Sequence, residues 1–152
     1  MAEEIQQHID QAALDNFGEK IKVKDCQSNC IKSVIRGKNT LGVLPTGYGK
    51  TLIYQLLPSV VAKMNSKQTI LIIVCPLEAL MNEQIERCQT FGTAVKLTEP
   101  FSEDVKNGKI QFLFSSPEIF MSEPCRTLFL SEIYQENVMA IVVDEAHTVV
   151  KW

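Results

Sequence analysis

The chain has 152 residues, of which 45% are apolar, 22% charged and 7% aromatic, with seven glycines and six prolines, a globular profile that excludes disorder and low complexity. Fifteen Lys+Arg against eighteen Asp+Glu give a net charge of −3, which excludes a generally basic surface, so any polyanion must meet a local patch. Five cysteines without a C-x-x-C pair, apolar runs of six residues at most (Ile70 to Cys75, Val138 to Val143) and a polar, acidic N-terminus argue against a zinc site, a disulfide framework, a membrane span and a signal peptide. The thiols read as reduced cysteines of an intracellular protein.

In chain order, a first helix is expected near 3–16. Residues 20–38 then hold Lys20, Lys22, Lys24, Lys32, Arg36 and Lys38 against the single acid Asp25, a local charge of +5 whose ordinary reading is a solvated surface. Inside this stretch a helix is predicted at about 25–36, with Asp25 as its cap and Gly37 as its end. A strand at 40–44 (Thr-Leu-Gly-Val-Leu) leads to a glycine-rich turn and a helix at 50–64. Further strands follow at 69–75, 93–97, 110–115 and 138–143, with helices at 77–90 and 124–136. Strands apolar at nearly every position imply burial on both faces. In a β-α alternation that means a mostly parallel, doubly wound α/β sheet with helices on both faces. Ligands of such sheets bind beyond the carboxyl ends of the strands, so the residues just after each strand deserve scrutiny.

After the strand ending at Leu44 comes Pro45-Thr46-Gly47-Tyr48-Gly49-Lys50-Thr51. This puts Gly-Lys-Thr at a strand-to-helix turn, where backbone N–H groups and a helix N-terminus can surround a phosphate. Lys50 is expected to reach the β- and γ-phosphates of a nucleotide and the Thr51 hydroxyl to bind Mg²⁺. Gly47 and Gly49 let the backbone turn inward and the phosphate approach. A strict phosphate-loop pattern has Gly where this chain has Leu44.

The last strand runs directly into Asp144-Glu145-Ala146-His147. A carboxylate pair at a buried strand end is what a Mg²⁺-dependent phosphate site uses, one to hold the metal and one to orient and deprotonate water. Adjacent residues on an extended chain point to opposite sides, so Asp144 and Glu145 need not compete for one position.

Gln27, the Pro-Thr-Gly-Tyr-Gly-Lys-Thr loop and Asp-Glu-Ala-His together resemble the first RecA-like lobe of superfamily-2 helicases, and within them the RecQ-like ATP-dependent DNA helicases. That family writes its phosphate loop with an apolar residue in place of the first glycine, which accounts for Leu44. Cys75-Pro76-Leu77-Glu78-Ala79-Leu80-Met81-Asn82-Glu83-Gln84 and Ser115-Ser116-Pro117-Glu118 are similar to two family segments that line the DNA path. Gln27, 23 residues before Lys50, stands at the spacing of the family's adenine-reading glutamine, with Lys24 where the family usually has Arg.

The resemblance implies the following assignments. Catalysis would fall to Lys50, Asp144, Glu145 and His147. Nucleotide would be bound by Lys24, Gln27, Pro45, Thr46, Gly47, Tyr48, Gly49, Lys50 and Thr51, and metal by Thr51 and Asp144. Nucleic acid would be met by Pro76, Leu77, Ser116, Pro117 and Trp152. Residues 1–20 would form an N-terminal helical extension and 21–152 a RecA-like lobe whose second lobe is not in this sequence. The expected cofactors are ATP and Mg²⁺. The expected partners are DNA, both single strands and duplex junctions, and the second RecA-like lobe, with no membrane partner. A nuclear location is expected if the source is eukaryotic. The implied activity is 3′–5′ translocation and unwinding in DNA repair and recombination, without unwinding by this piece alone. The competing readings are a DEAH-type RNA helicase lobe and a non-hydrolysing nucleotide-dependent binding module.

Overall fold

A computed structural model of the chain describes residues 2–44 and 49–145. It divides into two compact units, Met1–Gln68 and Thr69–Trp152. The first is helical: α1 (Ala2–Phe17), a 3₁₀ turn at Gly18–Lys20, α2 (Asp25–Ile35) and α3 (Lys50–Asn65). Helix α1 buries Ile5, Ile9, Ala12 and Ala13, a single stripe at helical spacing. Helix α3 contributes Tyr54, Leu56, Leu57 and Val60, and α2 adds Ile31. Polar ties supplement this packing, with Gln6 Nε2 donating to Ser28 Oγ at 3.3 Å and Lys63 pairing with Asp15. Gly37 at φ +77° ends α2, and the amides of Arg36, Gly37 and Lys38 close onto the carbonyls of Lys32, Val34 and Ser33.

The strand expected at 40–44 does not form. Residues 38–44 have no regular structure, and Leu41 and Val43 are 78% and 82% exposed. The apolar pattern there is genuine, but a strand exists only when a neighbour takes its N–H and C=O groups, and no described strand does so.

The second unit holds a four-stranded sheet of β1 (Ile70–Val74), β2 (Ala94–Lys96), β3 (Phe112–Ser115) and β4 (Val138–Val143) in the order β2-β3-β1-β4, every pair parallel. This is the α/β parallel sheet anticipated from the continuous apolar runs. β1 and β3 are buried at every position. On one face Ile70, Ile72 and Leu113 pack with Leu97, Val105, Ile110, Cys125, Leu128 and Tyr134. Helix α4 (Glu78–Cys88), with Met81 and Cys88 fully buried, lies along β2 and β3. Strand β4, at one of the two edges of the described sheet, departs from the pattern, since Ile141, the register partner of buried Ile72, is 52% exposed.

The predicted helix at 124–136 is two helices, α7 (Glu123–Leu130) and α8 (Glu132–Asn137). Ser131, at φ −62° and ψ 151°, ends one and begins the other, while the apolar spacing runs on across the break. Buried Tyr134 then donates its hydroxyl to the Val105 carbonyl at 2.6 Å, which ties α8 to the short helix α5 (Glu103–Lys106). Short α6 (Pro117–Phe120) starts immediately after β3.

Candidate functional site

Within the first unit, the end of the glycine-rich turn is built around Gly49. This residue is the N-cap of α3 at φ +72°, ψ +48°, a left-handed conformation that glycine adopts without strain. Space is also tight, because a Cβ here would lie 2.7 Å from Gln27 Nε2. Gln27 is only 3% exposed, and both ends of its amide are used. Its Nε2 donates to the Gly49 carbonyl at 3.0 Å and its Oε1 accepts from the Lys24 amide at 2.8 Å. The sequence-predicted residues Lys24, Gln27 and Gly49 are therefore joined in one chain of hydrogen bonds. Reading an adenine would require Gln27 to exchange at least one of these partners.

Lys50 and Thr51 open α3 directly behind Gly49, with Lys50 exposed and Thr51 half-buried. An α-helix leaves its first N–H groups without intrahelical partners, and here they face the end of the glycine-rich turn. Pro45, Thr46, Gly47 and Tyr48, expected to complete the phosphate cradle, lie outside the described residues, as do His147 and Trp152.

In the second unit the sheet register gathers the remaining residues. Val74 pairs with Ser115 on one side and Val143 on the other, so Cys75-Pro76-Leu77, Ser116-Pro117 and Asp144-Glu145 all leave the same edge, at the carboxyl ends of adjacent parallel strands. The chain order reverses here, since β1 lies between β3 and β4, which makes this edge a topological switch point. Two further bonds fix the ladder at this edge, from the Cys75 amide to the Ser115 carbonyl and from the Asp144 amide to the Val74 carbonyl, each 2.9 Å.

Each strand end is shaped by its own chemistry. Ser116 caps α6 by accepting from the Ile119 amide at 3.3 Å, with Pro117 in the first turn where its missing N–H costs nothing. Ser116 and Pro117 are buried, whereas Leu77 is 54% exposed. After Val143 the chain does not stay extended. Asp144 and Glu145 form a turn, Glu145 has φ +54°, and Asp144 Oδ1 accepts the Glu145 amide at 3.0 Å. This turn replaces the extended backbone expected after the strand, so strand alternation does not set the directions of the two carboxylates. Burial pushes the Cys75 thiol above its ordinary range, and the nearby charges of Asp144 and Glu145 push it further in the same direction.

Two features were not anticipated from sequence: the bond between Gln27 and Gly49, and buried Ser115, whose hydroxyl donates to the Ser116 carbonyl at 2.8 Å. The spacing of Gln27 from the glycine-rich turn was the available signal for the first. Nothing in the sequence marks the second.

The chain matches the family model described as DEAD/DEAH box helicase over residues 24–152. It is 35% identical over 138 residues to the ATP-dependent helicase SGS1 of Saccharomyces cerevisiae, covering 83% of this chain and 9% of that protein. Against the ATP-dependent helicase wrn-1 of Caenorhabditis elegans it is 33% identical over 147 residues, 92% of this chain and 13% of the relative. With the ATP-dependent DNA helicase RecQ of Synechocystis it shares 31% identity over 135 residues, 83% of this chain and 27% of the relative. The chain thus spans less than a third of the length of these curated relatives.

Proposed function

Since the chain belongs to the DEAD/DEAH box helicase family, we propose that it is the ATP-binding motor lobe of a RecQ-type DNA helicase that moves 3′–5′ along a single strand and unwinds duplex. The observation that carries this reading is the register of β3, β1 and β4, which brings the Pro76, Ser116 and Asp144 segments to one edge of a parallel sheet.

In this account the Gly47 and Gly49 backbone cradles the phosphates, with Pro45, Thr46 and Tyr48 completing the loop. Lys50 holds the β- and γ-phosphates, and Gln27 with Lys24 reads the base. The Thr51 hydroxyl and Asp144 carboxylate are hard oxygen donors, the chemistry Mg²⁺ selects, and they are the residues assigned to hold it. Bound there, the ion would neutralise charge on the phosphate oxygens. Glu145 orients the attacking water and accepts its proton. His147 links this centre to a second RecA-like lobe, and Pro76, Leu77, Ser116, Pro117 and Trp152 meet single-stranded DNA.

Phosphoryl transfer also uses an arginine on the γ-phosphate, worth about 10³–10⁵ in rate. Of the chain's three arginines, Arg87 is paired with Glu83 at 2.6 Å, and neither Arg36 nor Arg126 stands in a phosphate motif. The resemblance to RecQ-like helicases assigns the finger to a second RecA-like lobe. The 152-residue chain alone is expected to bind ATP, turn it over slowly and leave duplex DNA intact. ATPase assays with single-stranded DNA and with RNA, alongside strand-separation assays, test this. Rapid DNA-stimulated turnover with unwinding by the isolated chain would overturn the two-lobe account, and stimulation by RNA alone would transfer the lobe to an RNA helicase.

A further inference from the structure

Of the basic stretch 20–38 the motor reading uses only Lys24 and Gln27, and leaves Lys20, Lys22, Lys32, Arg36 and Lys38 without a role. Charge divides unevenly along the chain: Met1–Gln68 carries nine Lys+Arg against six Asp+Glu, a net +3, whereas Thr69–Trp152 carries six against twelve, a net −6. From Cys26 to Leu77 there is no acidic residue at all. At roughly 12% Asp+Glu for an average sequence, a run of this length has a chance of about one in a thousand at a given starting point.

Apart from Lys24, the N-cap of α2 and part of the nucleotide site, the cations around α2 sit at its two ends, the first pair flanked by Glu19 and Asp25. Lys20 and Lys22 lie before it, on the 3₁₀ turn and the segment leading into the helix, and both are exposed. Lys32, Arg36 and Lys38 lie at the far end, about 16 Å away along 11 helical residues. Lys32 and Arg36 are four residues apart and share one helix face, while the left-handed Gly37 folds Lys38 back beside them. Beside them Thr40 Oγ1 shares its proton between Ser33 Oγ at 2.8 Å and the Lys38 carbonyl at 3.0 Å, which leaves the Ser33 hydroxyl proton to donate elsewhere. None of these five cations forms an ion pair among the described residues, in contrast to Lys63, Arg87, Lys96 and Lys106. One cation would suffice to complement the negative end of a helix; three there, with two more at the other end, make a cationic track.

What such a track holds follows from what it lacks. Between Gly18 and Gly47 there is no Phe, Tyr, Trp or His. Binding of single strands relies on aromatic platforms for the bases, whereas cations and hydroxyls without aromatics contact phosphates and read no sequence. We propose that Lys20, Lys22, Lys32, Arg36 and Lys38 form a second nucleic-acid contact, one that holds duplex DNA by its phosphates independently of the nucleotide site. An acidic protein segment is the competing occupant, and duplex DNA is favoured by the paired hydroxyls and the span of the track.

The test uses the 152-residue chain, a blunt 20-base-pair duplex, a single strand of equal length and a poly-glutamate peptide. Lys32→Gln/Arg36→Gln/Lys38→Gln is expected to weaken duplex binding at least tenfold in 50 mM salt and to make the dependence of log affinity on log salt shallower by two to three, at about 0.9 per phosphate. A control removing the same charge elsewhere, Lys106→Gln/Lys109→Gln/Arg126→Gln, is expected to cost less than threefold. Lys38→Gln alone, at an exposed turn residue, should remove about one phosphate from the slope. ATP affinity should be unchanged in every variant, which separates failure of this contact from failure of the motor reading. Equal losses from the two triple variants, stronger loss on single strands than on duplex, or tighter binding of poly-glutamate than of duplex would overturn the proposal.

Discussion

Gly49 shows how a single backbone conformation carries chemical consequences. Its left-handed φ and the 2.7 Å approach of Gln27 leave no place for a side chain. Gly49→Ala is expected to lower ATP affinity about tenfold, because the left-handed penalty of roughly 1–2 kcal/mol falls on the loop that binds phosphate; calorimetric titration with MgATP measures it. Thr69 offers the opposite case. Its hydroxyl is buried and has no hydrogen-bond partner among the described residues, so Thr69→Val should stabilise the chain by about 1 kcal/mol in urea unfolding. Tyr134 and Cys125 make stability depend on pH. Burial pushes the Cys125 thiol from 9.0 up to about 11 and raises the Tyr134 phenol as well. The folded chain thus keeps protons that the unfolded chain releases, and the stabilisation is complete below pH 9 and lost as pH rises through 11. The urea midpoint should fall between pH 8.5 and 10.5, and less steeply in Cys125→Ala. At this scale the sequence identified glutamine, glycine and carboxylates by type and spacing. It did not reveal the Gln27–Gly49 bond or the Glu145 turn, which depend on three-dimensional neighbours.

Elements were legible where their stability is local or their pattern is continuous. Strands 69–75 and 138–143 appear at Ile70–Val74 and Val138–Val143, and the first helices fall within two residues of expectation. Two readings gave way to context. Segment 40–44 has a strand's composition without a described strand to pair with, and the 124–136 helix divides at Ser131, whose extended backbone no apolar period could signal. The first correction has a measurable consequence. Leu41→Lys and Val43→Lys should each change the stability of this chain by less than about 0.5 kcal/mol, as exposed positions do, whereas Ile72→Ala should cost about 2–5 kcal/mol. A loss of several kcal/mol at Leu41 or Val43 would place that segment in a core.

For the whole molecule, a net charge of −3 conceals a +3 helical unit and a −6 sheet unit, so the proposed phosphate contact of the helical unit is invisible in the total charge. The parallel sheet was foreseeable from uninterrupted apolar strands, and the sheet edge bearing Pro76, Ser116 and Asp144 follows from parallel register. The central claim is that Lys50 and its loop bind MgATP. Equilibrium dialysis of radiolabelled ATP with Mg²⁺ against the unmodified chain, Lys50→Ala and Glu145→Gln tests it most directly. The account predicts saturable one-to-one binding, weakened at least tenfold by Lys50→Ala and retained by Glu145→Gln, whose role lies with the attacking water. No saturable binding, or binding indifferent to Lys50, would contradict it.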